Sequence, residues 1–176
     1  SGAARDGGRE AGVSFSSPHF APDGRQVAAV QVRRARGVGE VLRLWCFDDE
    51  GRGRCVADWD THPHLWGWTA RGDALLATAD HEGHTPLWRV ELGSGAVRRL
   101  SGEGTIDQVG VTPRLPGRVF MVAHRFTAPP ELAALDLDRD DATAPPELAR
   151  LSGHDPAGWP ASAGITRAAR RSSTSL

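Results

Sequence analysis

Histidines are the residues of this sequence whose spacing first suggests chemistry. His62-Pro63-His64 and His81-Glu82-Gly83-His84 are the two dense groups among the seven histidines. A zinc site needs three or four converging ligands. However, the HEGH string is one residue short of the H-E-x-x-H helix motif and lies between two predicted strands. We therefore predict that His81 to His84 form the tip of a hairpin, and that the chain binds no metal or cofactor.

Six tryptophans could build either a core or a binding surface. Trp45 and Trp88 each follow a leucine, so we expect them at equivalent positions of two repeated strands, where bulk is needed to pack one unit on the next. Trp66 and Trp68 have the same parity on one strand and are expected to face alike. One of these two could instead meet a peptide or a sugar.

The only two cysteines, Cys46 and Cys55, flank the turn-forming string FDDEGRGR. A hairpin centred between Glu50 and Gly51 would place the two side chains opposite each other, at a separation somewhat longer than a relaxed disulfide prefers. We expect free thiols in a reducing compartment, with a strained redox-active bridge as the alternative.

The remaining charged and glycine-rich groups are interpreted as turns or surface. Asp48-Asp49-Glu50 and residues 136–141 fit turns, because short acidic side chains bond their own backbone. Gly93-Ser94-Gly95 lies between two strands, so it is not a phosphate-binding loop. A small basic cluster at one strand end has no ligand that we can assign, and it consists of Arg33, Arg34 and Arg36. The residues alone therefore give no catalytic, cofactor-binding or metal site.

Composition and charge exclude several classes of function. The chain has 176 residues and a formal net charge of −1, so charge gives no broad reason to bind nucleic acid or an anionic membrane. No stretch approaches the roughly 18 apolar residues of a membrane span, and residues 1–12 lack the apolar core of a signal peptide. All basic residues are Arg, which we attribute to a GC-rich coding sequence. We expect a cytoplasmic protein, and the start at Ser1 suggests a piece of a longer one.

Short apolar runs separated by Gly, Pro or Asp are typical of strands and turns. Tight turns recur at Pro22-Asp23-Gly24, Ala70-Arg71-Gly72 and Leu115-Pro116-Gly117, and four apolar runs fall in each repeat of roughly 45 residues. This period is typical of propeller blades. The sequence therefore predicts an all-β fold, a partial β-propeller of about three four-stranded antiparallel blades. The inner strands are predicted to end at Phe20, Trp68 and Val111.

The predicted blades divide the chain. We place blade one at 15–60, blade two at 61–102 and blade three at 103–154, with disordered tails at 1–14 and 155–176. Closed propellers typically have at least four blades. The apolar faces of the terminal blades are therefore expected to favour oligomerisation or aggregation.

Three stretches carry a family resemblance. The string PHFAPDGRQVAAV (18–30) resembles the SPDG repeat of TolB-type and peptidase-associated propellers. Residues 65–104 are similar to a blade of the prolyl oligopeptidase family of serine peptidases, especially its acylaminoacyl-peptidase and dipeptidyl-peptidase branches. The third unit resembles the last blade before that family's catalytic domain. The resemblance covers about residues 13–155, and Ala70-Arg71-Gly72 departs from the usual Pro-Asp-Gly.

The resemblance implies a function without chemistry for this chain. In that family an α/β-hydrolase domain follows the propeller and supplies a Ser in G-x-S-x-G, then Asp and His. The nearest string, PASAG at 160–164, has Pro where the strained turn needs Gly. We therefore expect the chain to be inactive alone, as the propeller part of a prolyl-oligopeptidase-like serine peptidase that gates peptide access to a separate α/β-hydrolase domain.

The implied partners are that hydrolase domain and, as substrates of the parent protein, short peptides, with no nucleic acid and no membrane. The alternative is a TolB-like or WD-repeat-like propeller that acts as a protein-interaction scaffold.

Overall fold

The computed structural model describes residues 12–34, 37, 39–57, 59, 61–126, 128–138 and 148–152. Within these ranges twelve strands form three four-stranded antiparallel sheets. The strands are β1 (Val13–Phe20), β2 (Val27–Arg34), β3 (Glu40–Phe47), β4 (Gly53–Ala57), β5 (His64–Trp68), β6 (Ala74–Thr78), β7 (Leu87–Glu91), β8 (Val97–Arg99), β9 (Thr105–Val111), β10 (Arg118–Arg125), β11 (Ala128–Asp136) and β12 (Ala149–Arg150). Each sheet follows chain order, so β1–β4 are blade one, β5–β8 blade two and β9–β12 blade three. The predicted fold class is confirmed.

The first strand of each blade ends where the turn residues predict. These ends are Phe20, Trp68 and Val111. In the first two blades a glycine with a φ of 72° closes the following turn, a left-handed conformation that glycine adopts without strain. The N–H of Gly24 donates to the carbonyl of Ala21 at 2.9 Å, and that of Gly72 donates to Thr69 at 3.0 Å. Equivalent turn chemistry therefore starts both blades.

Each of these first strands also contains a β-bulge. The first strand has one residue more than the second strand between Ser16 and His19, between Leu65 and Gly67, and between Asp107 and Val109. One residue at each bulge has a positive φ: Ser17 at 52°, Gly67 at 124° and Gln108 at 53°. A bulge reverses the alternation of side chains along a strand, so it decides which residues face which neighbouring blade.

The core consists of two apolar layers, one on each side of blade two. Leu75 belongs to the layer between blades one and two, and Leu76 to the layer between blades two and three. Every residue of β6 is buried. A strand that is covered on both faces needs a continuous apolar run, and this explains the sequence ALLA at 74–77.

The first strand begins earlier than the predicted boundary of blade one, and the last strand is short. β1 begins at Val13, which pairs with Arg33, so the strand extends two residues into the predicted tail 1–14. The fourth strand of blade three is only two residues long, Ala149–Arg150. Residues 1–11 and the predicted tail 155–176 lie outside the described residues.

Candidate functional site

The histidines of the two dense groups contact different partners. His81 and His84 bond to each other through both backbone amides, at 2.8 and 3.0 Å, around Glu82 and Gly83, whose φ angles are 51° and 78°. Two successive positive φ angles are typical of a tight hairpin turn, so the predicted hairpin tip is confirmed. The ring of His64 packs on Trp66, 4.5 Å away. No three His, Cys, Asp or Glu side chains converge as a metal site within the described ranges.

Trp45 and Trp88 lie at equivalent positions, opposite Ala29 and Ala77 on the second strands of their blades. The ring of Trp88 packs edge-on against Trp59, which lies between the last strand of blade one and the first strand of blade two, at 5.1 Å. This matches the expected packing of one unit on the next. Trp45 instead contacts rings of its own blade.

The prediction that Trp66 and Trp68 face alike is wrong. Trp66 packs against the layer between blades two and three, and its Nε1–H donates to Thr78 Oγ1 at 3.0 Å. Trp68 lies in the opposite layer and donates to the carbonyl of His19 at 2.9 Å. Trp66 is itself the extra residue of the bulge between Leu65 and Gly67, so the alternation of side chains breaks there and the two tryptophans point to opposite faces.

The predicted pairing of Cys46 with Cys55 is wrong by one residue. Cys55 pairs with Trp45, and Cys46 pairs with Arg54, so the two thiols lie on opposite faces. The cause is the loop, in which Asp48 accepts the backbone N–H of Arg52 at 2.8 Å. The hairpin is therefore centred on Glu50, whereas the prediction placed its centre between Glu50 and Gly51. Neither cysteine forms a disulfide. Burial raises the pKa of the Cys46 thiol.

The acidic and glycine-rich groups that were predicted to form turns make hydrogen bonds within those turns. Asp48 accepts the backbone N–H groups of Glu50 and Arg52, and Asp136 accepts that of Asp138, so both acidic groups stabilise turns. Ser94 accepts the N–H of Ala96 in the turn between β7 and β8. In the basic cluster, Arg34 forms an ion pair with Glu40 at 2.7 Å. Arg36, residues 139–141 and the string at 160–164 lie outside the described residues.

One polar network was not anticipated by residue type alone. Thr69 Oγ1 donates to Asp73 at 2.5 Å, and Arg89 donates to the other oxygen of the same carboxylate at 2.9 Å. Burial raises the pKa of Asp73, but the Thr69 hydrogen bond and the charge of Arg89 together outweigh it and leave that pKa below its ordinary value. The network fixes the turn that starts β6, a structural role. The spacing of Thr69 and Asp73 around Gly72 was the available signal.

Blade one presents an aromatic face on the side away from blade two. Phe15, Trp45 and Phe47 form this blade-one end face, with ring centroids 5.1 to 6.1 Å apart. The alternate residues of β3, Leu44 and Cys46, point the other way into the layer shared with blade two. Trp45 Nε1 is buried, and none of the described residues accepts its hydrogen bond.

Blade three has a corresponding outer face. Val119 and Met121 pack toward blade two, so the alternate residues Phe120 and Val122 point away from it. Val122 pairs with Leu132, which is 45% exposed. Phe120, Val122 and Leu132 therefore define a blade-three end face, which is apolar and only partly covered.

A cleft opens where blades two and three meet. Its volume is about 710 Å³, and its lining residues are His84, Glu103, Gly104, Thr105, His124, Arg125 and Phe126. Two backbone hydrogen bonds join the blades beside it: Thr85 N–H donates to Gly104 at 3.0 Å, and Ile106 N–H donates to Thr85 at 2.9 Å. We call this concavity the interblade cleft. It combines imidazole, guanidinium, carboxylate and aromatic groups, so it is the candidate binding site of the chain.

Further contacts hold the blades at a fixed relative position. Besides the Trp68 to His19 bond, the guanidinium of Arg71 in blade two donates to both carboxylate oxygens of Asp138, next to blade three, at 2.7 and 2.8 Å. The hydrogen bond to Asp138 also raises the pKa of Arg71. The three blades are thus joined by polar contacts as well as by the apolar layers.

Comparison with known proteins identifies the architecture. No protein-family model matches the sequence, and neither does any curated protein sequence. Similar solved structures include TolB from Acinetobacter baumannii, with a TM-score of 0.56 and 19% identity. An acylaminoacyl peptidase from Pyrococcus horikoshii has a TM-score of 0.55 and 11% identity, and puromycin hydrolase has 0.54 and 21%. These likenesses establish the fold as part of a β-propeller.

The chain is short relative to these proteins. The three matches cover 78 to 80% of this chain but only 33% of TolB, 25% of the acylaminoacyl peptidase and 22% of puromycin hydrolase. The similarity therefore concerns one region of each larger structure. No helix among the described residues has the length and hydrophobicity needed to cross a membrane.

Proposed function

We propose that this chain is the non-catalytic propeller part of a prolyl-oligopeptidase-like serine peptidase and gates access of peptides to a separate α/β-hydrolase domain. The observation that carries the proposal is the match of most of this chain to about a quarter of two hydrolases, an acylaminoacyl peptidase and puromycin hydrolase. Within this proposal the substrates are short peptides, the location is the cytoplasm, and neither nucleic acid nor a membrane is a partner.

The two end faces support a place within a larger array of blades. Trp45 on the blade-one end face is the counterpart of Trp88, which is covered by Trp59 in the existing interface. Phe120 and Val122 lie on the outer side of blade three and are only partly buried. Each end face thus repeats one half of an interface that the chain already forms internally. Further blades of the same type would cover both faces.

A gate of this kind acts by size and therefore needs rigid walls. The bond from Trp68 to His19 joins blades one and two, and the pair of bonds from Arg71 to Asp138 joins blade two to the end of β11. Such contacts resist the separation of blades that would admit a folded protein. The chain would contribute exclusion, while proton transfer and nucleophilic attack would occur in the hydrolase domain.

The first test is to read the genomic DNA beyond the codon of Leu176 in all three frames. A G-x-S-x-G motif followed by Asp and His supports the proposal, and the absence of a hydrolase-coding region would contradict it.

The second test uses the assembled enzyme that such a gene would encode. Weakening the blade contacts with the double variant Arg71→Gln and Asp138→Asn should raise kcat/KM for long peptides while leaving that for tripeptides unchanged. Arg118→Gln, a surface arginine of β10, is the matched control. Equal effects on long and short peptides would argue against gating.

The second candidate function is a TolB-like or WD-repeat-like interaction scaffold. The similarity to TolB from Acinetobacter baumannii, over 80% of this chain, favours it. A scaffold requires no hydrolase domain, so the DNA sequence beyond the codon of Leu176 also distinguishes the scaffold from the gating function.

A further inference from the structure

The interblade cleft is built by main-chain geometry. Gly104 forms its floor with a φ of +108°, and a Cβ at this position would lie 2.5 Å from the carbonyl oxygen of His124 and 3.5 Å from Cγ of Arg125. Glycine therefore lets the strand that carries His124 and Arg125 approach the start of β9. This close approach brings the end of β10 beside the hairpin tip of blade two.

His84 is held in one orientation at the wall of the cleft. The backbone N–H of Gly104 donates to His84 Nδ1 at 3.1 Å. A neutral imidazole whose Nδ1 accepts a hydrogen bond carries its proton on Nε2. His84 therefore has an N–H donor available for a ligand on the other side of its ring, while its acceptor nitrogen is already used.

Arg125 and Phe126 supply the other recognition groups. The side chain of Arg125 makes no hydrogen bond or ion pair with the residues that the structure describes, so the donors of its guanidinium are available to a ligand in the cleft. A guanidinium binds a carboxylate through two parallel hydrogen bonds. The adjacent Phe126 is 96% exposed, and it gives an aromatic surface on which an apolar side chain can pack.

We propose that the interblade cleft binds the C-terminal carboxylate of a short peptide whose last side chain is apolar. The carboxylate accepts hydrogen bonds from Arg125 and from Nε2–H of His84, and the side chain packs on Phe126. The volume of about 710 Å³ has room for two or three residues. Glu103 adds a negative charge to the same lining, which disfavours acidic peptides and weakens the binding of the carboxylate itself. The choice of a peptide as the ligand rests on the proposed function, whereas the carboxylate preference rests on the cleft alone.

The experiment uses the full chain and two probe peptides, N-acetyl-Ala-Ala-Phe and its C-terminal amide, titrated by calorimetry. The acetyl group removes the ammonium from both, so they differ only at the carboxylate. We expect the acid to bind about tenfold more tightly than the amide. Sodium acetate is the third probe, and it should bind far more weakly than the peptide acid because it makes no contact with Phe126.

Variants separate binding from folding. Arg125→Gln should weaken the acid about tenfold and abolish its advantage over the amide. Arg118→Gln, on the same strand but near its start, is the matched control and should change nothing. His84→Asn keeps an acceptor for the Gly104 amide but removes the Nε2 donor, so it should weaken the acid while the melting temperature stays unchanged. Glu103→Gln should strengthen binding of the acid.

Three results would overturn the inference: equal affinity for acid and amide, equal losses in Arg125→Gln and Arg118→Gln, or acetate binding as tight as the peptide acid. The last would mark a site for small anions alone. Failure of peptide binding in a protein whose gene encodes a hydrolase domain would overturn this inference and leave the gating function intact. Carboxylate-selective binding by a protein whose gene encodes no such domain would support this inference and contradict the gating function.

Discussion

Blade two and blade one use the same four-stranded pattern in different surroundings. Both faces of β6 are covered, and Leu75 and Leu76, adjacent in sequence, are fully buried in different apolar layers. Within the part of the chain that the structure describes, the face of blade one that carries Leu44 and Cys46 is the one covered by another blade. The other face is the blade-one end face, with its three aromatic rings. The position of a blade in the array thus decides how deeply it is buried.

Trp45 and Trp88 illustrate this difference in burial between blades one and two. Both tryptophans lie on the third strand, one residue after a buried leucine. Trp88 packs on Trp59 between blades, whereas Trp45 packs on Phe15 and Phe47 within its own blade. The aromatic cluster partly covers a face that has no neighbouring blade among the described residues. A tryptophan at the same position therefore forms an interblade contact in blade two, whereas in blade one it contacts only rings of its own blade.

Truncating the centre of blade two should have the largest effect on stability. Leu75→Ala removes a side chain with no exposed surface and leaves a cavity, so we expect it to lower the free energy of unfolding by about 2 to 5 kcal/mol. Leu132→Ala on the blade-three end face is the control, with an expected loss of about 1 kcal/mol or less because its side chain is already half in water. Urea denaturation measures both. Similar losses would contradict the difference in burial between the two regions.

Features of the blades that depend on local turns could be predicted from sequence, whereas features that depend on strand register could not. The strand ends at Phe20, Trp68 and Val111 and the hairpin tip at Glu82 and Gly83 follow from turn residues, whose conformational preferences are local. The faces of Trp66 and Trp68 and the partners of Cys46 and Cys55 depend on register. One inserted or displaced residue moves a side chain to the other face of a strand.

Two physical causes set those registers. The bulge beside Gly67 was signalled weakly, because glycine inside a strand often marks a bulge. The loop after β3 was decided by the bond from Arg52 N–H to Asp48, which favours a hairpin centred on Glu50. The interblade cleft was not predictable, because His84 and Arg125 come from different blades that meet through backbone contacts of Thr85 and Gly104.

Two glycines with the same φ test the interface between blades one and two. Gly95 has a φ of 71°, and a Cβ there would lie 2.7 Å from the carbonyl oxygen of Val56 in blade one. Gly24 has a φ of 72° and open space around it. We expect Gly24→Ala to cost about 1 kcal/mol for backbone strain alone, and Gly95→Ala about 2 to 3 kcal/mol because blade one must also shift. Equal melting temperatures for the two variants would show that this contact does not matter.

Charge placed on an end face should reduce self-association. Leu132→Glu puts a carboxylate on the blade-three end face, where burial against another copy would desolvate it, so we expect about tenfold weaker association. Leu115→Glu is a closely matched control, because both leucines are 45% exposed and Leu115 lies in the turn between β9 and β10. Sedimentation over a concentration series measures both. A larger effect of Leu115→Glu would place the association surface at the turns.

The smallest effect concerns the polar network of blade two and depends on pH. Because the pKa of Asp73 is lowered in the folded state, its carboxylate stabilises the fold above the ordinary pKa of about 4 and loses this contribution as the pH falls through the lowered value. Asp73→Asn should therefore cost about 0.5 to 1 kcal/mol at pH 7, since the group is partly exposed, and progressively less as the pH falls through the lowered pKa of Asp73.

Asp23→Asn in the equivalent turn of blade one is the control, because Asp23 accepts a backbone N–H, from Arg25, that an amide oxygen also accepts. Thermal unfolding from pH 2 to 7 distinguishes the two variants. A constant difference between Asp73→Asn and the unmodified chain across this range would mean that the carboxylate charge contributes nothing to the stability of the turn.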